Sequence, residues 1–285
     1  QEKTMPIIRR HGIIHDKHSS VESVKKFRRS AASAKKNSST SSDFTDPAYS
    51  NNTDLVDWFG FSTVEEIHQV MNDGYPDGVK LVNRLAKKIK MPTLKSARRR
   101  KVRRDQGDFL DIHAVYNGNL GGAWEKTERA SKNAPRQVSL LVNLTASVII
   151  PSSEYKWRGV AALALASRLE EAGHSVEITG FTHSAKVFNR KKDRHVLSFP
   201  VKSFGTPVNL NSLAITLVQP AFFRTFIFEA KFLEAWKVND GLGTPLSITP
   251  SVIQASSSTV LDGFESITSE SEAMDYITNA IKQFD

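Results

Sequence analysis

Gln137-Val138-Ser139-Leu140-Leu141-Val142-Asn143-Leu144 is a continuous apolar run of strand length. It is followed by an Ala/Leu-rich stretch from Lys156 to Ala172, then Gly173, then a second strand-like run from His174 to Phe181. A strand without polar–apolar alternation is buried on both faces, as strands of parallel sheets are. Gly173 stands where a helix commonly ends in the left-handed conformation. Strand, helix and strand in this order constrain the C-terminal half to an α/β fold, with a mostly parallel sheet flanked by helices. His195 to Phe204 is expected to add a third strand after a polar, cationic excursion over Ser184–Arg194. Residues 209–236 read as helical around Pro220, Leu246–Ile253 and Ser258–Leu261 as strands. Ser269–Phe284 reads as an amphipathic closing helix with Ala273, Ile277 and Ile281 inward.

The preceding residues divide into an arm and a small helical module. Residues 1–50 are rich in Ser, Lys and Asn, include the low-complexity Ser38-Ser39-Thr40-Ser41-Ser42, and read as a flexible arm. Within it His11, His15 and His18 are spaced four and three apart, so a helix there would align them as transition-metal ligands. In residues 51–135, Ser62 with Glu65 three positions on forms a capping box, predicting a helix from Thr63 to about Asp73. Gly74-Tyr75-Pro76-Asp77-Gly78 interrupts it before a basic helix from Val79, with Leu81, Leu85 and Ile89 on its apolar side, which Pro92 ends. Trp58, Phe59 and Phe61 read as this module's core. Trp124 is expected to lead into a further helix through about Lys132.

Charge is concentrated in the middle of the chain. Lys80 to Arg104 holds twelve Lys/Arg and no Asp/Glu, while the residues on either side are slightly acidic in balance, and the net charge is +9. Like charges crowded this way repel one another and are relieved by a polyanion. Lys87, Lys88, Lys90, Lys95, Arg98, Arg99, Arg100, Lys101, Arg103 and Arg104 are therefore candidate phosphate contacts. Asp105, Asp108 and Asp111, just beyond, are read as charge compensation and turn caps rather than metal ligands. The densest aromatic stretch, Phe222–Phe232, is apolar nearly all round as a helix and is read as core. Arg224 and Lys231 are its only candidates for flanking a nucleic-acid groove.

The absence of cysteine removes disulfides, thiolate zinc sites and Cys nucleophiles. No apolar run approaches the roughly 20 residues needed to span a bilayer, so no membrane partner is expected. The start, Gln1-Glu2-Lys3-Thr4-Met5, has no cationic region leading into an apolar one, and a cytoplasmic or intravirion location is the expectation. No phosphate-binding Gly loop, nucleophile elbow or His-Glu-x-x-His occurs, so the chain is not read as an enzyme.

Asn143-Leu144-Thr145-Ala146-Ser147 closes the first strand, and with the helix and strand that follow it the C-terminal half resembles the von Willebrand factor A family, a Rossmann-type architecture. That family carries Asp-x-Ser-x-Ser at this place, where the Asp and hydroxyls hold a divalent cation with a Thr and an Asp from later loops. The resemblance implies Asn143, Thr145 and Ser147 as first-loop ligands, possible magnesium as cofactor, and Thr206 and Asp262 as the remaining candidates. The motif is degenerate, because Asn replaces the anionic ligand that a hard cation prefers. The layout as a whole is similar to proteins of tailed phages that have no established activity.

The leading expectation is a non-catalytic, phage-encoded nucleic-acid-binding protein, accessory to replication, transcription or packaging, with DNA favoured and single-stranded DNA included. The alternatives are an assembly, scaffold or virion-associated module that docks a phage or host protein and oligomerises, and a metal-dependent ligand-binding A-type domain.

Overall fold

The computed structural model describes residues 7–10, 13–25, 58–91, 98–130, 136–147, 150–188, 191–228, 230, 244–246, 253 and 259–284. In chain order the elements begin with strands β1 (Ile7–Arg10) and β2 (Ile13–Lys17) and helices α1 (Val64–Asp73) and α2 (Pro76–Lys88). Next come β3 (Arg98–Arg104), β4 (Phe109–Leu110), α3 (Ile112–Tyr116), β5 (Trp124–Ala130) and β6 (Gln137–Asn143). Helix α4 (Ser152–Glu171), β7 (Ser175–Phe188), β8 (Lys191–Lys202) and α5 (Leu210–Val218) follow. The chain closes through α6 (Pro220–Phe222), β9 (Thr244–Pro245), β10 (Thr259–Leu261) and α7 (Glu270–Ile281).

The molecule is α/β, with a mixed seven-stranded main sheet in the order β1-β2-β8-β7-β6-β10 and β9 added to β7. β6 runs parallel to both β7 and β10, and β2 runs parallel to β8. β7 and β8, by contrast, form one long antiparallel hairpin that continues through the residues expected to be a polar excursion. Cationic side chains at 186–194 hid these strands, because strand pairing is carried by backbone groups that composition does not report.

β6 and α4 behave as their sequences require. Val138, Leu140 and Val142 of β6 enter the helix-covered core, and Leu141 on the opposite face meets Phe181 and Ile253. Helix α4 is buried from Tyr155 through Leu169 over most of its circumference, which suits its run of alanines. It ends at Gly173 (φ +90°), where the amides of Gly173 and His174 return to the carbonyls of Glu170 and Leu169. α7 buries Ala273, Ile277 and Ile281 as expected. Phe222, Phe223, Phe226 and Phe228 are core, the chain passing from α6 into a π-helical turn at Phe223–Ile227.

Several expectations are corrected. The arm supplies β1 and β2 to the main sheet, so His15 lies on a strand and His18 just beyond it rather than on a helix; His11 lies outside the described residues. The capping box of α1 is Thr63 with Glu66, one residue later than Ser62 with Glu65, because both reciprocal hydrogen bonds form at that register. α2 starts at Pro76, which needs no amide partner in the first turn, and ends at Lys88 before Pro92 is reached. α1 and α2 share one core with β6, α4 and α5: Trp58, Phe59, Ile67, Val82 and Leu85 pack in the same cluster as Leu140 and Leu163. No separation of cores falls at residue 135. Residues 98–104 form a strand, and Trp124 opens strand β5 instead of a helix. The two pair along Arg98↔Ala130 to Arg104↔Trp124 in a second, three-stranded sheet ordered β3-β5-β4.

Gly159 sets the distance between α4 and α5. A β-carbon there would lie 2.0 Å from the Leu217 carbonyl oxygen, a backbone atom that cannot swing away. In an open helix, Gly→Ala adds up to about 1 kcal/mol of stability. Here Gly159→Ala is expected to cost about 2–3 kcal/mol through overpacking, read as a lower urea midpoint at unchanged slope.

Candidate functional site

The carboxyl ends of β6 and β10 are where an open α/β sheet ordinarily offers a ligand crevice, since the chain leaves β6 toward β7 through α4 while β10 lies on the other side. Asn143, Thr145 and Ser147 lie there. The Asn143 Oδ1 accepts the Thr145 amide (2.9 Å) and its Nδ2 donates to the Leu246 carbonyl (3.3 Å). The Thr145 hydroxyl oxygen accepts the His183 amide (2.8 Å). Arg158, buried on α4, donates to the carbonyls of Thr145 (2.9 Å) and Asn143 (3.3 Å), and the Tyr155 hydroxyl donates to that of Leu144 (3.2 Å). Desolvation raises the Tyr155 pKa, which keeps this donor protonated.

These residues do not fit a divalent cation. The Asn143 and Thr145 oxygens that would ligate one already accept amide protons, and a guanidinium occupies the space beneath the loop with the same sign of charge. Asp262 follows β10 at this end of the sheet, its carbonyl accepting the Tyr276 hydroxyl, but Thr206 does not join it. β8 is antiparallel to β7, so the turn holding Thr206 falls at the opposite end. Among the described residues no group of three or more His, Asp or Glu is arranged to hold a metal.

Two other polar groupings are accounted for by local structure. Asp16, His18 and Ser23 stand in a row, His18 Nε2 lying 3.2 Å from Asp16 Oδ2 and Nδ1 3.5 Å from Ser23 Oγ. The Ser23 hydroxyl, however, donates to the Ser20 carbonyl (2.7 Å), and Ser20 and Ser23 accept each other's amides as a reciprocal helix cap. A cleft of about 370 Å³ runs between Ser19–Glu22 and the β8–α5 connection. Its charged side chains are already paired, Lys202 with Glu170 (2.5 Å) and Glu22 with Lys25 (2.8 Å). Arg224, offered by the sequence as a groove cation, is instead buried between the rings of Trp58 (5.0 Å) and Phe228 (4.8 Å), and burial lowers its pKa to about 10. Lys231 lies outside the described residues.

The basic run is divided by the fold. Lys87 and Lys88 end α2 with Lys90 just beyond, all exposed, and Lys88 (2.6 Å) and Arg84 (2.6 Å) both reach Glu270 on α7. Their approach holds the Glu270 carboxyl below its ordinary pKa, the Lys88 hydrogen bond being the largest cause. Lys95 lies outside the described residues. Arg98, Arg99 and Arg100 belong to β3, and their neighbours Lys101, Arg103 and Arg104 project from it exposed. Lys101 pairs with Glu125 (2.8 Å) and Arg103 with Asp111 (3.0 Å). Asp111 also caps α3 by accepting the amides of His113 and Ala114, so it carries both roles expected of this Asp-rich turn.

The surface that sequence reasoning missed lies beside these cations. Phe109, Leu110, Ile112, Tyr116 and Leu120 are 65%, 45%, 58%, 85% and 67% exposed. Among the described side chains of 98–130 none belongs to either hydrophobic core cluster, and the buried apolar ones are Ala114 and Ala123. The one available signal was that Phe109-Leu110-Asp111-Ile112 follows a segment with nothing apolar to pack against it.

The described residues thus define an α/β protein that carries a small basic antiparallel sheet with an exposed apolar edge. Residues 13–285 match the family described as a domain of unknown function, DUF7192, and the chain belongs to that family. No curated protein and no solved structure matches it.

Removing the Arg158 guanidinium strands two buried carbonyls. Arg158→Met is expected to lower stability by about 2 kcal/mol, measured by urea denaturation. Millimolar magnesium is expected to leave the melting temperature unchanged, where a site held at a hundredfold its Kd would add about 2.7 kcal/mol.

Proposed function

We propose that this protein binds nucleic acid without catalysis, contacting phosphates through the cations of the 80–104 run, with DNA the favoured form and a phage-encoded accessory role as its setting. The carrying observation is that Lys101, Arg103 and Arg104 project from an exposed strand outside the main core, next to Lys87, Lys88 and Lys90 in sequence. Their carboxylate partners Glu125 and Asp111 are near the surface, and exposed ion pairs are worth only about 0–1 kcal/mol. A phosphate can therefore displace such a carboxylate at little cost. The Glu270 contacts hold Lys88 and Arg84 in the same way, as an exposed network open to exchange.

In this reading the main body is a platform of von Willebrand A type. The order β8-β7-β6-β10, with α4 between β6 and β7 and a β7–β8 hairpin, is consistent with that family's plan. Arg158 and Asn143 take the place of its cation site, which makes the domain a scaffold rather than a metal-dependent receptor. The competing reading is an assembly module whose basic sheet docks an acidic protein.

Fluorescence anisotropy on labelled DNA at about 50 and 200 mM salt separates the two, since three phosphate contacts on duplex lose about 40-fold in affinity over that range. Lys101→Ala/Arg103→Ala/Arg104→Ala is expected to weaken binding to all sequences and to reduce the salt slope by about 2–3. Binding with no salt dependence, or none at low salt, would sink the phosphate reading.

A further inference from the structure

We propose that the unit formed by residues 98–130 takes single-stranded nucleic acid, with Phe109 and Tyr116 stacking on bases while Lys101 and Arg103, on the Phe109 face of the small sheet, hold the phosphates. This rests on the nucleic-acid reading above and names the strand form that the same surface selects.

Among the described residues, Phe109, Leu110, Ile112, Tyr116 and Leu120 are the large apolar side chains left exposed, and all five fall within twelve residues of one another. Among the described residues, the aromatics Trp58, Phe59, Phe222 and Phe226 are buried by contrast. Phe109 and Leu110 leave both faces of β4 apolar and exposed, and so much exposed apolar surface in one short stretch marks a region that another molecule covers. Ile112 and Tyr116 are four apart on α3 and share a face, while Ala114 between them turns inward.

The charges select the occupant. Phe109 and Arg103 are both register partners of Glu125, so their side chains lie on one face of the sheet with β5 between them. Adjacent strands are about 4.8 Å apart, which puts the two backbones about 10 Å apart. Lys101, two residues from Arg103 on β3, shares that face and reaches Glu125. Arg104, Leu110 and Trp124 share a rung of the other face, with Lys126 two residues along β5. A purely apolar protein surface laid on this unit would strip water from these cations and from the ion pairs they make, an expensive burial. A nucleic-acid strand supplies both complements, anions for the cations and π-faces for the rings. Duplex DNA supplies only the first, because its bases are stacked inside the helix and beyond reach of Phe109 and Tyr116. The aromatic group is therefore idle on duplex and gains contacts on a single strand.

The test uses the full chain with labelled oligothymidylate and oligouridylate of about 20 nucleotides and a DNA duplex of equal length, compared at one salt concentration. Wild-type protein is expected to favour the single strands by tenfold or more. Phe109→Ala/Tyr116→Ala, at exposed positions and with an unchanged melting temperature, is expected to lose roughly 30-fold or more on both single strands. It should keep its duplex affinity and its salt slope. A difference between the two oligonucleotides identifies DNA or RNA as the natural strand. Equal affinity for single strand and duplex, unchanged by the double substitution, would overturn the stacking inference and leave the phosphate reading standing. Failure to bind any of the three probes would remove both. A double variant that binds all probes as wild type does but elutes as a smaller species on size exclusion would reassign the patch to self-association.

Discussion

Helix α4 is the element on which α2, α5 and α7 converge, and it lies on β6 and β7. A helix in that position has no solvent face to spare, and its alanines let neighbours approach closely from several sides. Gly159 is the extreme case, since the α5 backbone occupies the space a side chain would need. The same helix carries Arg158 under the β6–α4 loop, where the guanidinium gathers carbonyls that otherwise face an apolar interior. Placement of α4 thus determines both the spacing of the helical layer and the shape of the loop at the carboxyl end of β6.

At that loop, where the sequence resemblance to the von Willebrand factor A family implied a bound cation, the chain supplies a cation of its own. Here Asn143 and Thr145 point their oxygens at amides and the local positive charge is covalently fixed. An arginine needs no recruitment from solution and cannot leave.

The small sheet is built on the opposite principle. Its backbone ladder is complete along β3 and β5, yet Ala114 and Ala123 are nearly all it buries, and a three-stranded sheet with so little enclosed area draws little stability from packing. Its cations are partly offset by Glu125, Asp111 and neighbouring carboxylates, which lowers self-repulsion without hiding the charge. The main body gains stability by closing its surfaces, and this unit leaves its apolar side chains exposed.

Legibility followed the range of the forces involved. The β6–α4–β7 unit, the closing helix with Ala273, Ile277 and Ile281, the role of Asp111 and the burial of the Phe222–Phe228 aromatics were readable, because each depends on periodicity, capping or hydrophobicity within a few contiguous residues. Small shifts such as Thr63 for Ser62 came from competition between adjacent capping hydroxyls. What could not be read was who pairs with whom. β2 joins β8 from about 180 residues away in sequence, residues 186–188 and 191–194 form strands despite their charge, and Arg98–Arg104 becomes a strand because β5 is there to receive its amides. Whether Phe109 and Tyr116 are core or surface is likewise no property of their own neighbourhood in sequence. Local chemistry determined that this chain has an α/β core, a segregated positive charge and no cysteine chemistry. Packing alone decided that the charge would be split between a helix end and an exposed strand, with aromatic rings beside it, since exposure is defined by the atoms that arrive from distant parts of the chain.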